Sequence, residues 1–158
     1  MQNSQIENRP NTYSDVTGVL LAGGKSHRMG QDKAILEFSG KSMFDRALDL
    51  LESLFSSLLI AGDRPDLARP GIPALADIYP GSALGGLYTG LRAASTEWIF
   101  VAPCDMPYPD GRIIEALLDN RSGVDAVVPK TAAGYEPVFA LYHKNCLPQM
   151  ENMPPLLF

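Results

Sequence analysis

Residues 20–33 read Leu-Leu-Ala-Gly-Gly-Lys-Ser-His-Arg-Met-Gly-Gln-Asp-Lys, and this stretch decides the fold. A short apolar run through Gly18-Val19-Leu20-Leu21 ends abruptly in the pair Gly23-Gly24. A basic, polar loop follows and closes on Asp32-Lys33. A strand that delivers small residues and cations to one point is how α/β proteins hold the phosphates of a nucleotide.

Working outward, Val16–Leu21 reads as a first strand, apolar as parallel strands covered on both faces tend to be. Residues 1–14 are polar, hold Pro10 and show no period, which predicts a mobile tail ahead of one domain over residues 15–158. Ile35–Phe38 predicts a short extended piece turning at Ser39-Gly40. Ser42 opens a helix with Asp45 as a capping-box-like partner, and Phe44, Ala47, Leu48, Leu51, Leu54 and Phe55 recur at helical spacing. Leu58–Ala61 is the second strand, stopped by Gly62-Asp63-Arg64-Pro65, and Ala74-Leu75-Ala76 is a short third. Gly81 to Gly86 forms a second glycine-rich loop, continued by a helix over Leu84–Ala94. Trp98–Ala102 is the strongest strand signal, ended by Pro103. Asp110–Asn120 predicts a helix turning Ile113, Ile114, Leu117 and Leu118 inward. Val124–Val128 and Val138–Tyr142 read as further strands, with a brief helix from Lys144. Strands and helices alternating at this rhythm predict one three-layer, Rossmann-like α/β domain, its mainly parallel sheet covered by helices on both faces.

Composition agrees. The 158 residues, 46% apolar and 20% charged, suit one well-buried domain. A net charge of −5 without a Lys/Arg-rich face excludes a broad nucleic-acid footprint. It leaves room for a small anionic ligand, for which Lys25, Arg28 and Lys33 form a local cluster. No apolar stretch approaches the roughly 20 residues that span a bilayer, so no membrane partner is expected. Two cysteines and no signal-peptide pattern point to the cytoplasm.

Known phosphate loops can be tested against this one. Gly24-Lys25-Ser26 and Gly40-Lys41-Ser42 each supply the tail of a Walker-type loop, but Val19 and Ile35 stand where its upstream glycine belongs. The dinucleotide fingerprint fails too, because Gly23 and Gly24 are adjacent and Gly30 lies too far on. What remains is the whole register of Leu21 to Lys33. It resembles the nucleotidyltransferase family that opens with Leu-Ala-Gly-Gly-x-Ser-x-Arg-Met-Gly-x-Asp-Lys, and within it the molybdenum cofactor guanylyltransferases. The likeness continues through Phe38-Ser39-Gly40-Lys41, the Tyr79–Gly86 loop, Pro103-Cys104-Asp105-Met106-Pro107 and Pro137–Tyr142.

The resemblance implies Mg²⁺-dependent transfer of GMP from GTP to molybdopterin, with pyrophosphate released. By that likeness Leu21, Ala22 and Gly23 contact base and sugar, Lys33 binds the triphosphate, Asp77 contacts the guanine nucleotide, and Gly85 and Gly86 form a turn beside it. Asp105 matches the family's metal-binding aspartate, and it lies just past a strand's carboxyl end, where open α/β sheets bind ligands. Arg28 would support the departing pyrophosphate; its alternative is a solvated loop cation. Cys104 reads as a small packing residue rather than a nucleophile. Implied partners are GTP, molybdopterin or the molybdenum cofactor, and cofactor-delivery or acceptor proteins. Two departures stand out. Ala61 replaces an asparagine that relatives often place against the nucleotide, and the family's C-terminal portion is expected to be missing after Met150. Rival readings are a cytidylyl or other nucleotidyltransferase of the same fold, and a non-catalytic GTP-binding module.

Overall fold

The computed structural model describes residues 12–23 and 32–157, Leu156 by its backbone only. Four elements open the domain: strand β1 (Tyr13–Leu21), a hairpin of β2 (Glu37–Phe38) and β3 (Lys41–Ser42), and helix α1 (Met43–Leu54). Strands β4 (Phe55–Ala61) and β5 (Ala74–Leu75) follow, then helix α2 (Ala83–Ala93) and strand β6 (Trp98–Pro103). The remainder is helix α3 (Gly111–Asp119), strand β7 (Ala126–Val127) and a hairpin of β8 (Lys130–Thr131) and β9 (Gly134–Tyr135). Strand β10 (Ala140–His143) and helix α4 (Leu147–Glu151) close it.

The main sheet has six strands in the order β5-β4-β1-β6-β10-β7. Strands β5, β4, β1 and β6 are parallel, with Val19 opposite Leu59 on one side and Val101 on the other. From β1 the chain winds outward to β4 and β5, then crosses back to β6 on the opposite side. That reversal is the topological switch point of the sheet. Strand β10 runs antiparallel to both β6 and β7. Apolar runs show that a strand is buried but carry no sign of its direction.

Both faces of the sheet are covered, as expected of its uniformly apolar strands. On one face Val16, Leu20 and Phe100 pack beneath α1 and α3; on the other Val19, Leu21 and Val101 pack beneath α2 and α4. Helix α1 buries Phe44, Ala47, Leu48, Leu51 and Leu54, the 3.6-residue stripe of its sequence. The Ser42 hydroxyl caps it, accepting from the Asp45 backbone N–H at 3.0 Å and donating to the Asp45 carboxylate at 2.7 Å. Such a cap contributes about 1 kcal/mol.

Four expectations need correction. Strand β1 starts at Tyr13, so Tyr13 and Ser14 leave the predicted tail and join the sheet; Tyr13 is opposite Phe55. Residues 1–11 lie outside the described chain. Lys33–Ile35 forms a 3-10 turn, so the extended piece is confined to Glu37–Phe38. Gly85 and Gly86 are not loop residues; they sit buried in the first turns of α2, capped by Ser82. Finally, α3 buries Ile114, Leu117 and Leu118 but leaves Ile113 46% exposed. One residue is 100° of helical rotation, and it carries Ile113 off the buried stripe.

Candidate functional site

The carboxyl ends of β1, β4, β5 and β6 meet in a floor of small residues. Leu21 is opposite Ala61 and Pro103 at the last rungs of the sheet, and its carbonyl accepts from the Cys104 N–H at 3.1 Å. The Ala22 N–H donates to the Ala61 carbonyl at 2.8 Å, so the sheet itself uses that amide. Ala61 is wholly buried. Gly23, exposed, is the first residue to stand clear of the strands.

Close backbone approach explains the glycines here. A Cβ on Gly62 would lie 2.4 Å from the Gly23 nitrogen and 2.8 Å from the Ala22 carbonyl carbon, and Gly62 has φ +138°. Only glycine takes that conformation with so little space. A Cβ on Gly86 would lie 3.0 Å from a Leu21 methyl and 3.8 Å from both Asp77 carboxylate oxygens. Gly85 serves another purpose: its missing Cβ would fall 1.8 Å from the Tyr79 carbonyl oxygen. It seats α2 on the preceding loop through a close packing contact.

Asp77 is half-buried just beyond β5, between Gly23 and Gly86. Its Oδ1 is buried without a hydrogen-bond partner among the described residues. Burial raises its pKa above the ordinary carboxylate value, the Asp63 charge adds to this, and the Thr89 hydroxyl opposes it. An orphaned carboxylate oxygen at a strand's carboxyl end is a ready acceptor for a ligand N–H or O–H.

Asp105 is exposed in the turn after β6. Its neighbour Cys104 is buried, and burial with the Asp105 charge pushes that thiol up to about 12. Cys104 is therefore a neutral packing group at ordinary pH.

Lys33 is exposed and opens the 3-10 turn Lys33–Ile35. Asp32 caps this turn, its Oδ1 accepting from the Ala34 N–H at 3.1 Å. Its Oδ2 pairs with the Arg64 guanidinium at 2.7 Å. Arg64 is only 7% exposed and also grips Asp66 with two bonds, Nε–Oδ1 at 2.9 Å and Nη2–Oδ2 at 2.8 Å. Both carboxylates hold the guanidinium charged, Asp66 most strongly. In the sequence Arg64 stands only as part of the stop after the second strand, because its partner Asp32 lies 32 positions away. Arg28 and Lys25 lie outside the described residues. The structure thus gathers Leu21, Ala22, Gly23, Asp77, Gly86 and Asp105 at one edge, and ties Lys33 to it through Asp32.

Open α/β sheets bind ligands above such a reversal, which here falls between β1 and β6. Acidic residues, Asp77 and Asp105, stand beyond β5 and β6, with no dinucleotide glycine fingerprint between them. Residues 18–155 match the MobA-like NTP transferase domain, and the chain belongs to that family. Its curated relatives include the probable molybdenum cofactor guanylyltransferase of Natranaerobius thermophilus, 35% identical over 140 residues, 84% of this chain and 68% of the relative. The molybdenum cofactor guanylyltransferase of Yersinia pseudotuberculosis is 36% identical over 143 residues, 87% of this chain and 73% of that one. Among solved structures, a putative protein from Aquifex aeolicus superposes with a TM-score of 0.71 at 30% identity, covering 87% of this chain and 74% of its own. Molybdopterin-guanine dinucleotide biosynthesis protein A from Archaeoglobus fulgidus, at 22% identity, shares the fold with a TM-score of 0.69 over 85% of this chain and 71% of its own. By this membership the chain is a nucleotidyltransferase.

Proposed function

We propose that the chain transfers GMP from GTP to molybdopterin, forming the guanine dinucleotide cofactor and releasing pyrophosphate. The observation that carries this reading is Asp77, whose carboxylate stands against Gly23 and Gly86 on the small-residue floor while its Oδ1 has no hydrogen-bond partner among the described residues. Relatives named for this reaction at 34–36% identity support it. The acceptor's terminal phosphate oxygen attacks the α-phosphorus of GTP as the bond to pyrophosphate breaks. No protein nucleophile is required.

In this reading Leu21, Ala22 and Gly23 line the base and sugar through their backbone, since the Leu21 side chain is buried in the core. Lys33 and Arg28 offset charge on the phosphates. A lysine about 4 Å from a phosphate charge contributes about 4 kcal/mol at an effective dielectric near 20. Asp105 would hold Mg²⁺. Its exposed carboxylate is the hard oxygen donor that this ion takes together with phosphate oxygens and water. No cluster of three metal-ligating side chains occurs among the described residues, so most ligands would come from substrate and solvent. The ion would supply Lewis-acid stabilisation of the triphosphate. The free thiols Cys104 and Cys146 suit a reducing cytoplasm.

The test is pyrophosphate release from GTP in the presence of molybdopterin and Mg²⁺, with CTP and ATP as competitors. Asp105→Asn should abolish metal-dependent release. Preference for CTP would overturn the guanine assignment, and unaltered activity of Asp105→Asn would overturn the metal assignment. Tight GTP binding without turnover would favour a non-catalytic binding module.

A further inference from the structure

We infer that Arg64 is a positioning residue for nucleotide binding: it fixes Lys33 against the triphosphate by holding Asp32, the cap of the Lys33 turn. The inference rests on the phosphate-binding role proposed for Lys33.

The geometry forms a chain of fixed contacts. The Arg64 N–H donates to the Gly62 carbonyl at 2.8 Å, and the Arg64 carbonyl accepts from the Leu67 N–H at 3.0 Å. The Gly62 N–H in turn donates to the Leu75 carbonyl at 2.8 Å. The Arg64 backbone is thereby tied to the ends of β4 and β5. Its side chain reaches from there to Asp32, whose second oxygen closes the turn over Lys33–Ile35. Ala34, 3% exposed, seals the base of that turn. Lys33, by contrast, is exposed on a backbone fixed by that turn.

One short segment therefore holds both Ala22-Gly23 and Asp32. The Ala61 carbonyl and Gly62 fix Ala22 and Gly23 where the chain leaves β1, and Arg64 fixes Asp32 where it returns. The residue type matters. A guanidinium forms a planar fork that serves Asp66 with two bonds while turning Nη2 to Asp32, whereas an ammonium is a point charge without that plane. The side chains of Arg64 and Asp32 are 9% and 18% exposed, so water screens their attraction little. Asp66 is 57% exposed, and solvent can replace it.

The experiment measures GTP and GMP affinity by calorimetry, with Mg²⁺ present, for wild type, Arg64→Met, Arg64→Lys, Lys33→Ala and the Arg64→Met/Lys33→Ala double variant. Arg64→Met should weaken GTP binding by about 10- to 100-fold, the loss typical when an orienting partner is removed. GMP lacks the phosphates assigned to Lys33, so its binding should change little. In the Lys33→Ala background Arg64→Met should have almost no further effect on GTP, where independent contributions would multiply. Arg64→Lys should restore part of the loss and keeps the protein folded if the methionine variant does not. Equal weakening of GTP and GMP, or multiplication in the double variant, would overturn the inference while leaving the role of Lys33 intact. GTP binding unaffected by Lys33→Ala would overturn the Lys33 reading, and this inference with it.

Discussion

Gly62 offers the sharpest test of how the floor of the site is built. In Gly62→Ala the new methyl meets backbone atoms, 2.4 Å from the Gly23 nitrogen and 3.0 Å from its Cα. No rotamer change can relieve contacts between main-chain atoms. The φ of +138° adds strain of about 1–3 kcal/mol for a residue with a Cβ. Overpacking of a fixed interior typically adds about 1–3 kcal/mol more. Gly71→Ala is the matched control: its φ of +77° is also positive, but nothing lies within 4 Å of the added methyl. That substitution should cost only about 1–2 kcal/mol. Urea unfolding followed by circular dichroism should place Gly62→Ala clearly below Gly71→Ala, with thermal midpoints lowered on the order of 10 °C and 5 °C respectively. Gly62→Ala should also weaken GTP, because relief of the clash moves Gly23; Gly71→Ala should not. Equal destabilisation by the two substitutions would refute the close-approach argument.

Asp77 should trade stability against ligand binding. Its folded pKa is raised by burial and Asp63, so the folded chain retains a proton that the unfolded chain releases above its ordinary value of 3.8. Stability contributed by this group is therefore present below that value and is lost as pH rises through the raised one. Asp77→Asn should unfold at higher urea than wild type at neutral pH, converge with it in acid, and bind GTP less well; a less stable variant at neutral pH would contradict the assignment. Cys104, its thiol pushed up to about 12, should resist iodoacetamide in the native protein at mildly alkaline pH and react once urea exposes it. Mass spectrometry showing native Cys104 labelled as fast as denatured Cys104 would disprove its burial.

The parts of the fold legible in the sequence were those written as local patterns. The cap at Ser42 and the apolar stripe from Phe44 to Leu54 define α1 because both ends and one face are set by nearby residues. Trp98–Ala102 is continuous enough to mark a central strand, which the structure extends by Pro103. What escaped depends on distant partners. Gly85 and Gly86 look like loop residues, yet the Tyr79 carbonyl comes so close to Gly85 that only glycine fits there, and Gly86 packs against a Leu21 methyl. Packing then overrides the low helical propensity of glycine. The place of Asp105 just past a strand was readable. Arg64 was not, because its link to Asp32 joins residues 32 positions apart in the chain.

Both margins of the main sheet are formed by two-residue strands, β5 at Ala74–Leu75 and β7 at Ala126–Val127. Pro73 precedes the first, and Pro129 follows soon after the second. A neighbouring chain seeking to continue the sheet from β5 or β7 would find few open backbone donors and acceptors on them. Proline near each margin limits lengthening of those strands. Self-association by adding strand to strand is thereby discouraged at the two places where an open sheet is most exposed to it.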